Sequence, residues 1–288
     1  MFLDGVGVPG EAAPGAPPSP VVAARTPTLD ALRAGRLAAP SVYRELDAGL
    51  GHPGLPQSAT GQTTLLTGVN AADAMDGHYG PWPGPTLRRV LDAGNLFHDG
   101  VRAGGARLAN AYPPGYFAAQ AGRRMRPNAV AYAALAAGVP QLGAAEYARG
   151  EAVPSDLEGA HLAREGGRMG PLGSARALAA IAAAHAFTVL DVWLTDAYGH
   201  AQAFADAKAL LERVDAALGH LVTDPAGAVA RGVTVLVTSD HGNVEDLGVA
   251  THTRNPVPLY AAGPGAAAFV GAASLLDVAP AVRSVLAG

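Results

Sequence analysis

Val237-Thr238-Ser239-Asp240-His241-Gly242-Asn243-Val244-Glu245-Asp246 decides how this chain of 288 residues is read. The run Val233 to Val237 is apolar and β-branched, which predicts a buried strand. It stops at an Asp-His pair followed by Gly. In an α/β protein the loops beyond the carboxyl ends of strands hold the chemistry. Oxygen and imidazole donors at such a place suit a divalent cation. A polar turn after a core strand would read the same way if the pattern stood alone. It does not stand alone, because other strand ends in the chain close on the same residue types.

Met1-Phe2-Leu3 leads into Asp4-Gly5-Val6-Gly7, which reads as the tail of a strand with an Asp at its end and glycines for a tight turn. The strand is short for a central one, and the expectation is that it is truncated. Asp4 serves equally as a turn former or a ligand on this pattern alone. Residues 9–24, rich in Pro, Ala and Gly, predict a surface loop. Thr26-Pro27-Thr28-Leu29-Asp30 predicts a helix start with Thr26 as cap and Pro in the first turn.

Ser58-Ala59-Thr60-Gly61-Gln62-Thr63-Thr64 precedes a short helical segment closed by Gly68. A serine here sits among free backbone N–H groups at the positive end of a helix dipole. Such a place suits a nucleophile that accepts a phosphoryl group, and equally an ordinary N-cap. Residues 85–168 change character: Arg102, Arg107, Arg123, Arg124, Arg126 and Arg149 stand in a stretch rich in Gly and Ala. Arginine makes bidentate contacts to phosphate or carboxylate. The segment is expected to be an inserted cap facing an anionic substrate, or a solvated basic surface.

From Ser174 the helix and strand rhythm returns. A helix is predicted over 174–186 and a strand over 187–195. The strand runs into Asp196-Ala197-Tyr198-Gly199-His200, whose Asp and His, four apart, can face one metal. A helix over about 200–222 carries Leu210, Leu211, Val214, Leu218 and Leu221 on one stripe. Thr251-His252-Thr253-Arg254-Asn255-Pro256-Val257-Pro258 precedes a short strand over 257–261, and a terminal helix closes the chain over 274–286.

Composition narrows the chemistry. The formal charge of −4, without a basic run, argues against a nucleic-acid partner. No cysteine is present, so thiolate sites and disulfides are excluded. No apolar run is long enough for a membrane span, and no signal-like start is seen, so a cytoplasmic protein is expected. Asp4, Ser58, Asp196, His200, Asp240, His241 and His252 are together sufficient for two divalent ions and one oxygen nucleophile.

In this order the motifs resemble the alkaline phosphatase superfamily: Asp-Gly-x-Gly, Thr-Pro-Thr-x-Asp-x-Leu, Ser-x-x-Gly, Asp-x-x-Gly-His, Asp-His-Gly-Asn-x-Glu-Asp and Thr-His-Thr-x-Asn-Pro-Val-Pro. Within it the chain is similar to the branch of cofactor-independent phosphoglycerate mutase and phosphopentomutase, over residues 1–80 and 174–288. The resemblance implies an α/β fold with a central, mostly parallel sheet flanked by helices. The core would comprise residues 1–84 and 169–288, with a small inserted cap at 85–168. It implies Ser58 as the transiently phosphorylated nucleophile. One metal would be held by Asp4, Ser58, Asp240 and His241, the other by Asp196, His200 and His252, with Mn or Zn as the two ions. The expected activity is hydrolysis of a small phosphorylated metabolite, as phosphatase or phosphodiesterase. The alternatives are a phosphomutase and a non-catalytic metal-binding relative. The chain departs from the mutases at Gln62, where they usually carry His. Its single lysine, Lys208, is poorly placed for their phosphate-site lysine, and its insertion is far smaller.

Overall fold

The computed structural model describes residues 1–11, 14–162 and 167–288. Of the expected loop and cap, residues 12–13 and 163–166 lie outside the described residues.

The centre is a five-stranded sheet. Its strands are β1 (Phe2–Leu3), β2 (Ser41–Leu46), β5 (Asp191–Val192), β6 (Val235–Thr238) and β7 (Val257–Ala262), in the order β2-β7-β6-β1-β5. β1 runs parallel to both β5 and β6, while β7 is antiparallel to β6 and to β2. Only β7 is reversed, so the sheet is mostly parallel and flanked by helices, as the sequence predicts. Beside it, β3 (Ala106–Leu108) pairs in parallel with β4 (Phe187–Val189), which leads directly into β5.

Both faces of this sheet are covered, which explains the continuous apolar runs. Phe2, Val257, Leu259 and Ala261 join one core with Leu65, Leu66, Phe97 and Val278. Leu3, Val235, Val237, Tyr260 and Ala262 join the other with Leu178, Leu210, Val214 and Leu218. The period-two alternation along each strand divides its residues between the two cores.

Three local expectations are corrected. The strand expected over 187–195 is broken into β4 and β5, and a helix Leu194–His200 begins before it should end. The helix expected from His200 is a separate one, Phe204–Thr223. Thr26 makes no capping bond for the helix Pro27–Arg33. Its free N–H groups at Thr28 and Leu29 donate instead to Asp215 of the helix Phe204–Thr223, at 3.2 and 2.8 Å. A carboxylate from a neighbouring element thus replaces the local cap.

The expected boundary at residue 85 does not separate two cores. Leu91, Leu96, Phe97, Leu108 and Ala129 to Ala131 belong to the same apolar cluster as β7 and the helix Ser58–Thr67. Only a small cluster of Ala111, Leu142, Tyr147, Ala152 and Leu162 is peculiar to this segment. Its apolar stripes require burial, and the sheet face supplies it. Arg102 pairs with Asp99, Arg149 pairs with Glu146 and Glu151, and Arg123, Arg124 and Arg126 are exposed. Among the described residues, no hydrogen bond or ion pair joins them to the strand-end cluster.

Candidate metal centre

Asp4 follows β1, Asp196 lies in the helix after β5, and Asp240 and His241 follow β6. All stand at the carboxyl edge of the parallel strands. The helix Ser58–Thr67 points its N-terminus at them, and Ser58 is its first residue. Gln57, not Ser58, occupies the cap position, and it makes no side-chain capping bond. Its Oγ lies 2.9 Å from His241 Nε2. Gly61 permits this approach: a Cβ there would stand 2.8 Å from the Asp240 carbonyl oxygen. Gly5 takes φ +67, which turns the chain sharply behind Asp4.

The seven expected residues come together in two groups. In the inner one, His241 Nε2 lies 3.4 Å from Asp4 Oδ1 and 3.5 Å from Asp240 Oδ2. Ser58, Asp4, Asp240 and His241 are all buried. In the outer one, His200 Nε2 lies 3.3 Å from Asp196 Oδ2 and 3.2 Å from His252 Nε2. Here His200 is exposed. The His241 and His252 rings stack at 3.8 Å between centroids and join the two groups. Asp196 also stands within ligand distance of Asp4 and His241, so it can serve either ion.

The imidazoles reveal what this arrangement is for. Nδ1 of His252 meets Pro56 O at 2.7 Å, that of His200 meets Ala250 O at 3.1 Å, and that of His241 meets Gly242 O at 3.3 Å. A carbonyl oxygen only accepts, so each Nδ1 carries a proton and each ring directs its Nε2 at the site. His200 and His252 thereby bring their Nε2 atoms to 3.2 Å from each other, beside Asp196. Asp4 Oδ1 is buried without a hydrogen-bond partner. Donors and geometry fit divalent ions.

Electrostatics agree. Burial, and then the charge of Asp240, hold the Asp4 carboxyl well above the usual carboxylate range. Burial, then Asp196, push Asp240 up to about 7. Burial, then His252, push His241 down to about 3. Three carboxylates converge here, and among the described residues no Lys or Arg forms an ion pair with them. A divalent cation bound among them would relieve that repulsion and displace the protons that burial favours.

Residues without a predicted role complete the support. Gln62 Nε2 donates to Asp4 Oδ2 and to Asp240 Oδ2, both at 3.2 Å, and holds the two carboxylates apart. Asn243 Nδ2 donates to Asp196 Oδ1 at 2.6 Å. Glu245 accepts from the backbone N–H groups of Gly7 and Asn243 at 2.9 and 2.8 Å, and from Asn255 Nδ2 at 3.0 Å. It ties the loops after β1 and β6 to the loop before β7. The polar residues of Asp-His-Gly-Asn-x-Glu are the signal that points to this scaffolding.

The chain resembles known proteins in sequence and fold. The family profile described as the Metalloenzyme superfamily matches residues 1–286. The 2,3-bisphosphoglycerate-independent phosphoglycerate mutase of Desulforudis audaxviator is 39% identical over 98 residues, covering 32% of this chain and 19% of that protein. The same enzyme of Acetivibrio thermocellus is 39% identical over 105 residues, covering 34% and 20%. The matches thus span about a fifth of the length of these curated relatives. Among solved structures, the PH0037 protein from Pyrococcus horikoshii superposes with a TM-score of 0.58 at 15% identity, over 99% of this chain and 95% of that one. Alkaline phosphatase from the Antarctic bacterium TAB5 superposes with a TM-score of 0.58 at 13% identity, over 99% and 96%. At such identities these two show the fold, which is alkaline-phosphatase-like. The profile, which spans nearly the whole chain, places this protein in the Metalloenzyme superfamily.

Proposed function

We propose that the protein is a two-metal phosphohydrolase, a phosphatase or phosphodiesterase that acts on a small phosphorylated metabolite through a phosphoserine at Ser58. The observation that carries this reading is the position of Ser58 Oγ. It lies 2.9 Å from His241 Nε2, at the N-terminus of a buried helix and beside the Asp4 and Asp240 carboxylates. Asp4, Ser58, Asp240 and His241 would hold one ion, and Asp196, His200 and His252 the other. Bound there, divalent ions supply charge neutralisation and a lowered pKa for the serine hydroxyl.

The chain's own groups do the rest. Ser58 Oγ gives its proton to solvent and attacks phosphorus in line, and the bond to the ester oxygen breaks, that oxygen taking a proton from solvent as it leaves. The first-turn N–H groups of the helix Ser58–Thr67, unused within the helix, are available to the equatorial oxygens. Water entering from the exposed His200 side then cleaves the phosphoserine. Neither Mn nor Zn is favoured by a set of Asp and His ligands. The charge of −4 and the absence, among the described residues, of a helix fit to cross a membrane agree with a cytoplasmic enzyme of small molecules.

A phosphomutase is the second reading, favoured by the partial likeness to the phosphoglycerate mutases. Returning the phosphoryl group to substrate needs a closed site. The deciding experiment assays p-nitrophenyl phosphate and bis-p-nitrophenyl phosphate with Mn or Zn, comparing wild type and Ser58→Ala. The hydrolase reading expects metal-dependent turnover that falls roughly 1000-fold or more in the variant. No turnover of either ester, with two metals still bound, rejects it in favour of a selective mutase or a non-catalytic binder.

A further inference from the structure

Gln62 stands one turn beyond Ser58 on the same buried helix. Residues four apart share a helix face, so it lies behind the serine, toward the sheet edge. Its Nε2 carries two hydrogens. One goes to Asp4 Oδ2 and the other to Asp240 Oδ2, both at 3.2 Å. Its Oε1 is buried without a hydrogen-bond partner. An unpaired buried acceptor is costly, so the bonds to the two acids fix which way the amide faces. Turned over, it would set its oxygen against two carboxylate oxygens.

The hydrogen bonds leave few oxygens open. Asp4 Oδ2 is engaged by Gln62, and Asp240 Oδ1 accepts from Gly5 N at 3.3 Å. What remains toward the ring of His241 is one oxygen from each acid. Asp4 Oδ1 lies 3.4 Å and Asp240 Oδ2 3.5 Å from its Nε2. With His241 Nε2 and Ser58 Oγ, which are 2.9 Å apart, the inner group presents four donor atoms. Neither acid can offer both oxygens to one ion without giving up a hydrogen bond. Asp196 is held in the same manner: its Oδ1 accepts from Asn243 Nδ2, and its Oδ2 turns to His200 of the outer group.

We propose that Gln62 selects the ion of the inner group, favouring Zn over Mn by holding Asp4 and Asp240 to one open oxygen each. This rests on the two-metal reading above. Zn is at home with four ligands, whereas Mn suits six, mostly oxygen. Asp and His donors do not choose between them by kind. The number of oxygens left open does, and one amide sets that number at two acids. Gln62 acts through Asp4 and Asp240 and is a positioning residue. Without its N–H groups Asp4 Oδ2 is released, Asp240 is freer to turn, and the number of available oxygens rises.

The experiment titrates Zn against Mn in competition, in a His200→Ala background. His200 is exposed, so its removal disables the outer group and lets the inner one be read alone. Zn binds such sites more tightly than Mn in general, so the readout is the change in the ratio of the two affinities. Gln62→Met keeps the length of the side chain and removes both donors. It is expected to lower the Zn-to-Mn ratio about tenfold or more, the scale on which outer partners act on metal affinity. Gln62→Glu puts acceptor oxygens where the donors were and is expected to lower the ratio as well, so the outcome does not hang on one variant. Co gives a second readout. With Gln62 in place the bound ion is expected to show the intense visible absorption of a four-ligand complex, and in both variants the weak absorption of a six-ligand one. An unchanged ratio, or an equal loss of both ions with the Co spectrum unaltered, would overturn the proposal and leave Gln62 a residue of the fold alone. If the background protein took up none of the three ions, the two-metal reading would fall and this inference with it.

Discussion

Asn243 holds Asp196 by a 2.6 Å hydrogen bond from Nδ2 to Oδ1. A second contact, from the same Nδ2 to the Asp196 carbonyl oxygen at 3.2 Å, fixes the orientation of the amide. Among the described residues, Asp196 is the one carboxylate shared by both ligand groups, so its rotamer governs both. Outer-shell partners of this kind are worth about 10–100-fold in metal affinity. Asn243→Ala is expected to weaken metal binding by that amount while Ser58 stays in place. Titration calorimetry with Mn or Zn checks it, and unchanged affinity would show that Asp196 is held by other means.

Metal binding should depend on pH through the carboxylates and not through His241. Asp4 lies well above its ordinary range and Asp240 near 7, so without metal both retain protons toward neutral pH. An ion must displace those protons. His241, pushed to about 3, is already neutral and releases none. Affinity should therefore fall as pH drops below about 7, with proton release from the site to the buffer reported by calorimetry in buffers of different ionisation enthalpy. A flat affinity between about pH 5.5 and 8, the window that brackets these shifts, would contradict it.

Asp191 offers a separate test in the metal-free protein. It is buried in β5, accepts from Asn128 Nδ2 at 2.8 Å, and has its pKa pushed up to about 7 by burial. An ordinary carboxyl titrates near 4, so between about pH 4 and 7 the folded state holds a proton that the unfolded state lacks. Stability then falls as pH rises through that window, at most by about 1.4 kcal/mol per unit. Asp191→Asn keeps an acceptor for Asn128 and removes this slope. Asp4 and Asp240 contribute slopes of the same sign. The difference between wild type and variant in urea midpoints at pH 4.5 and 7.5, values chosen to bracket roughly that window, isolates Asp191.

Much of the centre was legible because strand ends advertise themselves. β6 is a short apolar run stopped by Asp240 and His241, and only a loop position explains that change of character. Asp4, Asp240 and His241 converge because each follows a strand whose type is local, and Ser58 because it opens a helix aimed at the same sheet edge. What was not legible depends on distant partners. Gln62 reads as an ordinary helix residue, and only the approach of Asp4 and Asp240 from two other strands gives its amide a task. The β-branched stretch Phe187–Val192 reads as one strand, but Leu190 turns it from β3 toward β1. The segment from residue 85 was expected as a cap because its arginines stand in a stretch rich in Gly and Ala. The second wall that buries Leu91 and Phe97 comes from the far end of the chain, including Val278 and Val282.

The tightest constraint on the nucleophile is Gly61. The helix Ser58–Thr67 is buried at every residue, and Gly61 rests against the backbone of Asp240. A methyl group there would lie 2.8 Å from the Asp240 carbonyl oxygen and 2.9 Å from its Cβ. Alanine favours a helix over glycine by about 1 kcal/mol. Overpacking a rigid contact costs about 1–3 kcal/mol. The contact is with backbone, which cannot swing aside, so the clash should win. Gly61→Ala is expected to lower stability slightly and to move Ser58 Oγ away from His241 Nε2. A displacement of that kind costs reactivity more than binding. Activity should drop by about tenfold or more, with two metals still bound. The check pairs steady-state kinetics with metal analysis of the same sample. Full activity in the variant would mean that the helix can withdraw from Asp240 without disturbing the nucleophile.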